Sequence, residues 1–243
     1  MTMVEIGIVR ALFLYPVKSM AGTALEATTV GWHGLDGDRR YAFLRTDSRS
    51  GFPWLTAREL PAMLQYHPRY FAGPLGKHAA VQVRTPEGQD LDVASDELSV
   101  TLSQAAGMPC RLLKCDRGLF DDLGISLLSM STVQAIADIT GCRADPIRFR
   151  PNIVIESVRE EPYVEDAWVD HQIVFGDQPD GAKMRVNSRD PRCVMVNIDP
   201  QTLEKNAHVL RTIAQTRDGC LGVYGSTETP GTIRIGDVVR LVQ

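Results

Sequence analysis

The apolar segments of this chain are short, and that limits its fold more than any other feature. ALFLYPV (11–17), among the longest, is strand-sized and far below the roughly 20 residues of a membrane-spanning helix. IGIVRALFLYPV (6–17), LEATTVGW (25–32), YAFLRT (41–46), AAVQVRT (79–85) and RLLKC (111–115) are β-branched or aromatic and bounded by Gly, Pro or Asp. PEGQD (86–90) predicts a hairpin turn between AAVQVRT and LDV (91–93). Three segments predict helices instead. SDELSVTLSQAAG (95–107) and SMSTVQAIADITG (129–141) each open on a capping serine and stop at glycine, and PQTLEKNAHVLRTIAQT (200–216) is the third. GCLGVYG (219–225) and TIRIGDVVRLV (232–242) are strands again, with Gly236-Asp237 as their tight turn.

This order predicts a mainly β chain with a few helices (α+β). It favours a closed or nearly closed antiparallel barrel over a βαβ wound sheet. At 243 residues the chain is long enough for one large β-rich domain or two small ones, each with a real core. A change of composition near Asp116–Gly124 places the expected boundary between residues 1–118 and 119–243. MTMVEIGIVR has no charged leader followed by an apolar core, so a cytoplasmic location and no membrane contact are expected.

Charge and cysteine usage exclude several functions. A net charge of −4 argues against general nucleic-acid binding, which requires a basic domain. The arginines nevertheless fall in groups: Arg39 with Arg40; Arg143, Arg148 and Arg150; Arg185, Arg189 and Arg192. If folding joins these groups, an acidic protein would contain one basic pocket suited to a small anion. Five cysteines, an odd number without an export signal, argue against a disulfide framework. Cys110 and Cys115 have the opening spacing of a plant-type [2Fe–2S] site, but Gly118 stands where the next ligand is required, so no iron–sulfur centre is expected. The histidines at 33, 67, 78, 171 and 208 have no zinc-ligand spacing.

Four stretches carry candidate chemistry. LYPVKSMAG (14–22) offers Lys18 and Ser19 in a loop that can hold a phosphate, against the alternative of a solvated lysine in a turn. In GLDGDRRYAFL (34–44), strand alternation sends Arg39 and Arg40 to opposite faces, so one of them can enter a pocket; a surface pair is the alternative. In RFRPNIVIE (148–156), Pro151 predicts an extended Arg150 ahead of Asn152 and an apolar strand. An arginine at the mouth of a buried strand needs an anion or a carboxylate, with Glu165 or Asp166 as the structural choice. In RDPRCVMVNIDP (189–200), Cys193 is either a small buried hydrophobe or a thiolate favoured by Arg189 and Arg192 and suited to a sulfur-ligated metal. A nucleophilic role would need a histidine, and His171 or His208 could approach only through the fold.

Together these stretches resemble the MOSC family, the molybdenum cofactor sulfurase C-terminal domain proteins with their associated N-terminal β-barrel domain. YPVKS and GLDGDRRYAF are similar to the N-terminal half. ISLLSMSTV, FRPNIVI, PYVEDAW, RCVMVNIDPQT and PGTIRIGDVVRL follow in the order of the family's amidoxime-reducing members. The resemblance covers almost the full chain and implies two β-barrel-like domains with a molybdopterin-type molybdenum cofactor between them. Cys193 matches the cysteine that ligates molybdenum. Lys18, Ser19 and Arg39 match residues that hold the phosphate and pterin, and Arg150, Asn152 and Arg192 match further cofactor contacts. Gly124 and Ser126 fall where the family places small or hydroxyl residues near the phosphate, although this stretch departs from the mammalian pattern. Asp199 resembles an acid close to the metal cysteine.

The same resemblance implies reduction of N-hydroxylated small molecules, such as amidoximes and hydroxylamino bases. Some bacterial relatives carry a C-terminal ferredoxin domain, whereas this sequence ends at Gln243 without one. A separate electron donor of ferredoxin, flavoprotein or cytochrome type is therefore expected. The alternative is a non-catalytic cofactor or sulfur carrier with a Cys193 persulfide. Pyridoxal phosphate, which belongs to the sulfurase's desulfurase domain, is not expected.

Overall fold

The computed structural model describes residues 2–71 and 79–243; His78 lies outside the described residues. Nine described strands precede residue 116: β1 (Met3–Leu14), β2 (Thr23–Leu25), β3 (Ala27–Gly31), β4 (Gly34–Leu35), β5 (Tyr41–Arg45), β6 (His67–Phe71), β7 (Ala80–Arg84), β8 (Asp90–Asp92) and β9 (Cys110–Lys114). Seven follow: β10 (Ile125–Ser129), β11 (Ile153–Ser157), β12 (Gln172–Phe175), β13 (Lys183–Pro191), β14 (Cys220–Thr229), β15 (Gly231–Arg234) and β16 (Val238–Val242). The helices are α1 (Asp96–Ala106), α2 (Met130–Thr140) and α3 (Ala207–Arg217). The protein is mainly β, as its sequence predicts.

The largest sheet runs β11-β10-β14-β13-β12-β16-β1-β2, and a further β11–β1 pairing closes seven of these strands into a barrel. β1 makes the closure possible because it is long enough to pair with β16 through Met3–Ile8 and with β11 through Gly7–Leu12. Register shifts on both sides of β1 mark bulges, which bend a strand as closure requires. β10 and β11 are parallel, the one departure from the antiparallel expectation in the barrel. A parallel pair needs a long crossover, and the segment carrying α2 supplies it.

Alternation places Val9, Leu12, Leu127, Ile153, Phe175 and Val223 inside the barrel. α2 and α3 cover its outside through Val133, Ile136, Val209 and Ile213, packed with Leu128. A second core lies among Val17, Phe43, Leu55, Met63, Leu98 and Leu102 of the N-terminal half. The two halves exchange strands: β1 belongs to the barrel, and β15 returns to pair with β3. We propose the division at 118/119 as one between sequence units, since strands from both sides share sheets. No described helix is long and apolar enough to cross a membrane.

α1 and α2 have their serine caps, with Ser95 Oγ accepting from Leu98 N and Ser129 Oγ from Thr132 N, and both end on left-handed glycines. The third helix differs. It begins at Ala207 rather than at Pro200, because Asp199 Oδ1 accepts from the backbone N–H groups of Gln201 (2.9 Å) and Thr202 (3.0 Å). That side-chain turn diverts the backbone until Asn206 caps the helix. The turn at Gly236-Asp237 also differs from a simple hairpin. Asp237 Oδ2 accepts from Arg234 N at 2.7 Å, and the turn sends β15 and β16 to different sheets.

Candidate functional site

Where β1 leaves the barrel its last side chains are anchored from beneath. Tyr15 is fully buried; its N–H donates to Asp38 Oδ1 at 2.7 Å and its carbonyl accepts from Arg39 N at 2.7 Å. Lys18 follows, only 5% exposed, with Nζ donating to Leu119 O (2.9 Å) and Asp121 Oδ1 (2.6 Å). Burial lowers its ammonium below the usual value, although Asp121 opposes the shift. Ser19, Arg39 and Arg150 all have positive φ (66°, 48° and 55°), a conformation that costs roughly 1–3 kcal/mol for non-glycine residues and recurs at functional sites.

Arg39 and Arg40 do face different ways, but a left-handed turn at Arg39 separates them rather than strand alternation. Arg39 pairs with buried Asp38 and donates to Asn152 Oδ1 and Arg150 O, both at 3.3 Å. Arg40 points away to Asp36 and Asp116. Arg150 is not extended as Pro151 predicts. It caps the 3₁₀ turn Pro146–Phe149 in the left-handed region, its N–H donating to Ile147 O at 3.0 Å.

The Arg150 side chain donates to Met20 O at 2.7 Å and stacks 4.3 Å from the Tyr15 ring, with no carboxylate at ion-pair distance among the described residues. Glu165 serves Ser129 and Thr132, and Asp166 serves Arg189 and Arg217, so neither alternative partner reaches it. Burial brings Arg150 down to about 10, the mark of a cation without its counter-charge.

Just beyond β13, Arg192 is tethered on three sides. Its guanidinium donates to Leu221 O and to Phe149 O (2.8 Å) and pairs with buried Asp190 at 2.8 Å. Asp190 Oδ2 also accepts from Ser126 Oγ at 2.8 Å, and burial raises its carboxyl. Arg189 is committed to Asp166, Asp218 and the Arg217 carbonyl. The two arginines beside Cys193 in sequence therefore have other partners. Cys193 itself is exposed at the start of the 3₁₀ turn Val194–Asn197, which removes the buried-hydrophobe alternative.

Lys18, Ser19, Arg39, Ser126, Arg150, Arg192 and Cys193 line one open cleft of about 360 Å³. Asn152 and Gly124 do not line it. Asn152 is fully buried behind it, Oδ1 accepting from Ser126 N and Arg39 and Nδ2 donating to Phe13 O. Gly124 packs on the β3–β4 hairpin, where an added Cβ would lie 2.8 Å from His33 O. Asp199 also stands outside the lining and grips Arg148 through Oδ2 at 2.6 Å. Phe52, Arg58, Phe120, Asp121 and Tyr224 also line the cleft, with Tyr15 buried behind it, and no motif in the sequence singles these residues out.

Six cationic side chains and three carboxylates line the cleft, an excess that favours an anionic ligand. Among the described residues no three His, Cys, Asp or Glu side chains cluster to hold a metal. A metal at Cys193 would therefore bring most of its ligands with it. The exposed thiol, the under-compensated Arg150 and the cation excess fit such a group.

Family models match nearly the whole sequence, the MOSC N-terminal beta barrel domain at residues 6–116 and the MOSC domain at 116–240. The chain belongs to the MOSC family. A molybdenum cofactor sulfurase from Anopheles gambiae is 28% identical over 88% of this chain and 33% of its own length. One from Bombyx mori is 40% identical over 32% of this chain and 9% of its length, so this chain spans a third or less of those sulfurases. The human mitochondrial amidoxime-reducing component 1 is 24% identical, with 98% of this chain and 84% of that protein aligned. The crystal structure of the YUAD protein from Bacillus subtilis shares the fold at a TM-score of 0.50 and 13% identity, covering 99% of this chain and 97% of that one.

One consequence of the cleft's charge is directly measurable. Asp121 is 60% exposed and holds Lys18 in place of an external anion. Asp121→Asn is expected to tighten binding of inorganic phosphate about two- to five-fold, the worth of an exposed ion pair. Calorimetric titration reads this, and unchanged or weaker binding would show that Asp121 does not compete for Lys18.

Proposed function

We propose that this cleft holds a molybdopterin-type molybdenum cofactor, and that the protein reduces N-hydroxylated compounds such as amidoximes and hydroxylamino bases. The observation that carries the reading is the meeting of one exposed thiol, Cys193, with an excess of cations from three distant parts of the sequence, among them Arg150, which has no carboxylate at ion-pair distance among the described residues. Cys193 supplies the protein's ligand to the metal. Lys18, Ser19 and Arg39 hold the phosphate end, with Arg150 and Arg192 as further contacts. Asn152 acts from behind by fixing Arg39 and the Ser126 amide. A cofactor of this kind would supply two-electron redox chemistry when bound. The reduction consumes two electrons and two protons, converts the N–OH group to N–H and releases water.

Electrons come from a separate donor of ferredoxin, flavoprotein or cytochrome type. The exposure of Cys193 also supports a second reading, a carrier with a persulfide on that sulfur. Protein from a cofactor-producing host, given reduced viologen and an aromatic amidoxime, separates the two. Catalytic appearance of the amidine supports the reductase; no turnover together with cyanide-releasable sulfur on Cys193 supports the carrier.

A further inference from the structure

The Tyr15 ring contacts two guanidinium groups of the cleft, with its centroid 4.9 Å from Arg39 and 4.3 Å from Arg150. It cannot swing away: the residue is fully buried, its N–H is held by Asp38, and its hydroxyl donates to Pro151 O at 3.2 Å. Arg39 has a carboxylate partner in Asp38, whereas among the described residues Arg150 has the ring and the Met20 carbonyl and no carboxylate partner. Two like charges beside one aromatic ring repel each other. The ring's electron-rich faces offset that repulsion and fix the planes of both guanidiniums.

We infer that Tyr15 is a positioning residue that binds Arg39 and Arg150 into one subsite for a doubly charged oxyanion, a phosphate monoester. Two cations served by one carboxylate retain a net positive charge, which a dianion meets better than a neutral ligand or a monoanion. The inference rests on the proposed anion-binding role of this cleft and deepens it.

The test titrates the full chain with inorganic phosphate, comparing wild type, Tyr15→Phe and Tyr15→Leu. Loss of the ring is expected to weaken binding about tenfold, the sum of two partly buried cation–π contacts, and phenylalanine is expected to restore most of it. Leucine binding as tightly as wild type, or phenylalanine as weakly as leucine, overturns the inference. So does wild-type protein that fails to bind phosphate. If Tyr15→Leu does not fold, Arg39→Gln, Arg150→Gln and their double variant replace it: non-additive losses support a single ring-linked subsite, and additive losses overturn it. Molybdenum content separates the two levels. Metal-loaded protein with no ring dependence leaves the proposed function standing and removes the inference, whereas metal-free protein from a competent host removes the former.

Discussion

Cys193→Ala protein from a cofactor-producing host should purify without molybdenum and without N-reduction. Loss of groups that merely orient metal ligands already costs about 10- to 100-fold in affinity, and Cys193 is proposed as the ligand itself. Its thiol is exposed and makes no cap bond within its own turn, so removing it leaves no buried partner unsatisfied. The variant should therefore fold normally, and the loss should appear in metal content rather than in stability. Cys115→Ala, directly after β9 and outside the cleft lining, serves as the control and should keep its metal. A Cys193→Ala protein with full metal and turnover would remove the thiol from the mechanism.

Arg192→Ala should instead damage the fold. The Arg192 side chain and the Asp190 carboxylate are both almost wholly buried, and the guanidinium also serves the Leu221 and Phe149 carbonyls. Asp190 Oδ1 already lacks a partner, so removing Arg192 leaves a buried carboxylate without its ion pair, supported by Ser126, Tyr224 and the more distant Arg39. Breaking such a pair costs about 3–5 kcal/mol, which for a chain of this size lowers the thermal midpoint on the order of 10 °C. The sign of the pH dependence follows from Asp190. Burial raises its folded carboxyl and Arg192 opposes that rise, so the variant raises it further. A raised folded carboxyl destabilises above its unfolded value, and the penalty fades as pH falls and the acid takes up its proton. The deficit should therefore shrink from neutral pH towards the acid range. Thermal melts at both ends would show this; a deficit below about 1 kcal/mol, or one flat with pH, would mean the pair is not an isolated buried unit.

Much of this was legible in the residues, and the failures share a cause. Short β-branched segments, serine caps and terminal glycines are local signals, and they placed the strands and the first two helices. The three arginine groups were visible as groups, but which members turn inward was not. Arg39, Arg148, Arg150 and Arg192 line the cleft, while Arg40 and Arg189 have carboxylate partners outside it. Those choices depend on left-handed turns at Arg39 and Arg150 that single-residue preferences argue against, the latter despite the following proline. Tertiary contacts, Tyr15 and Asp38 among them, impose these turns. The late start of α3 has the same origin as the role of Asp199: one carboxylate holds Arg148 on one oxygen and a side-chain turn on the other. Barrel closure by β1 was invisible because it pairs residues near opposite ends of the chain.

The central claim is that one sulfur and a set of converging cations form the seat of a metal-bearing anionic cofactor. Molybdenum and pterin assayed together, on wild-type chain from a host that makes the cofactor, test it most directly. Near-equimolar metal and pterin per chain is the expected result. Protein that is folded, binds phosphate and yet carries neither would contradict the account.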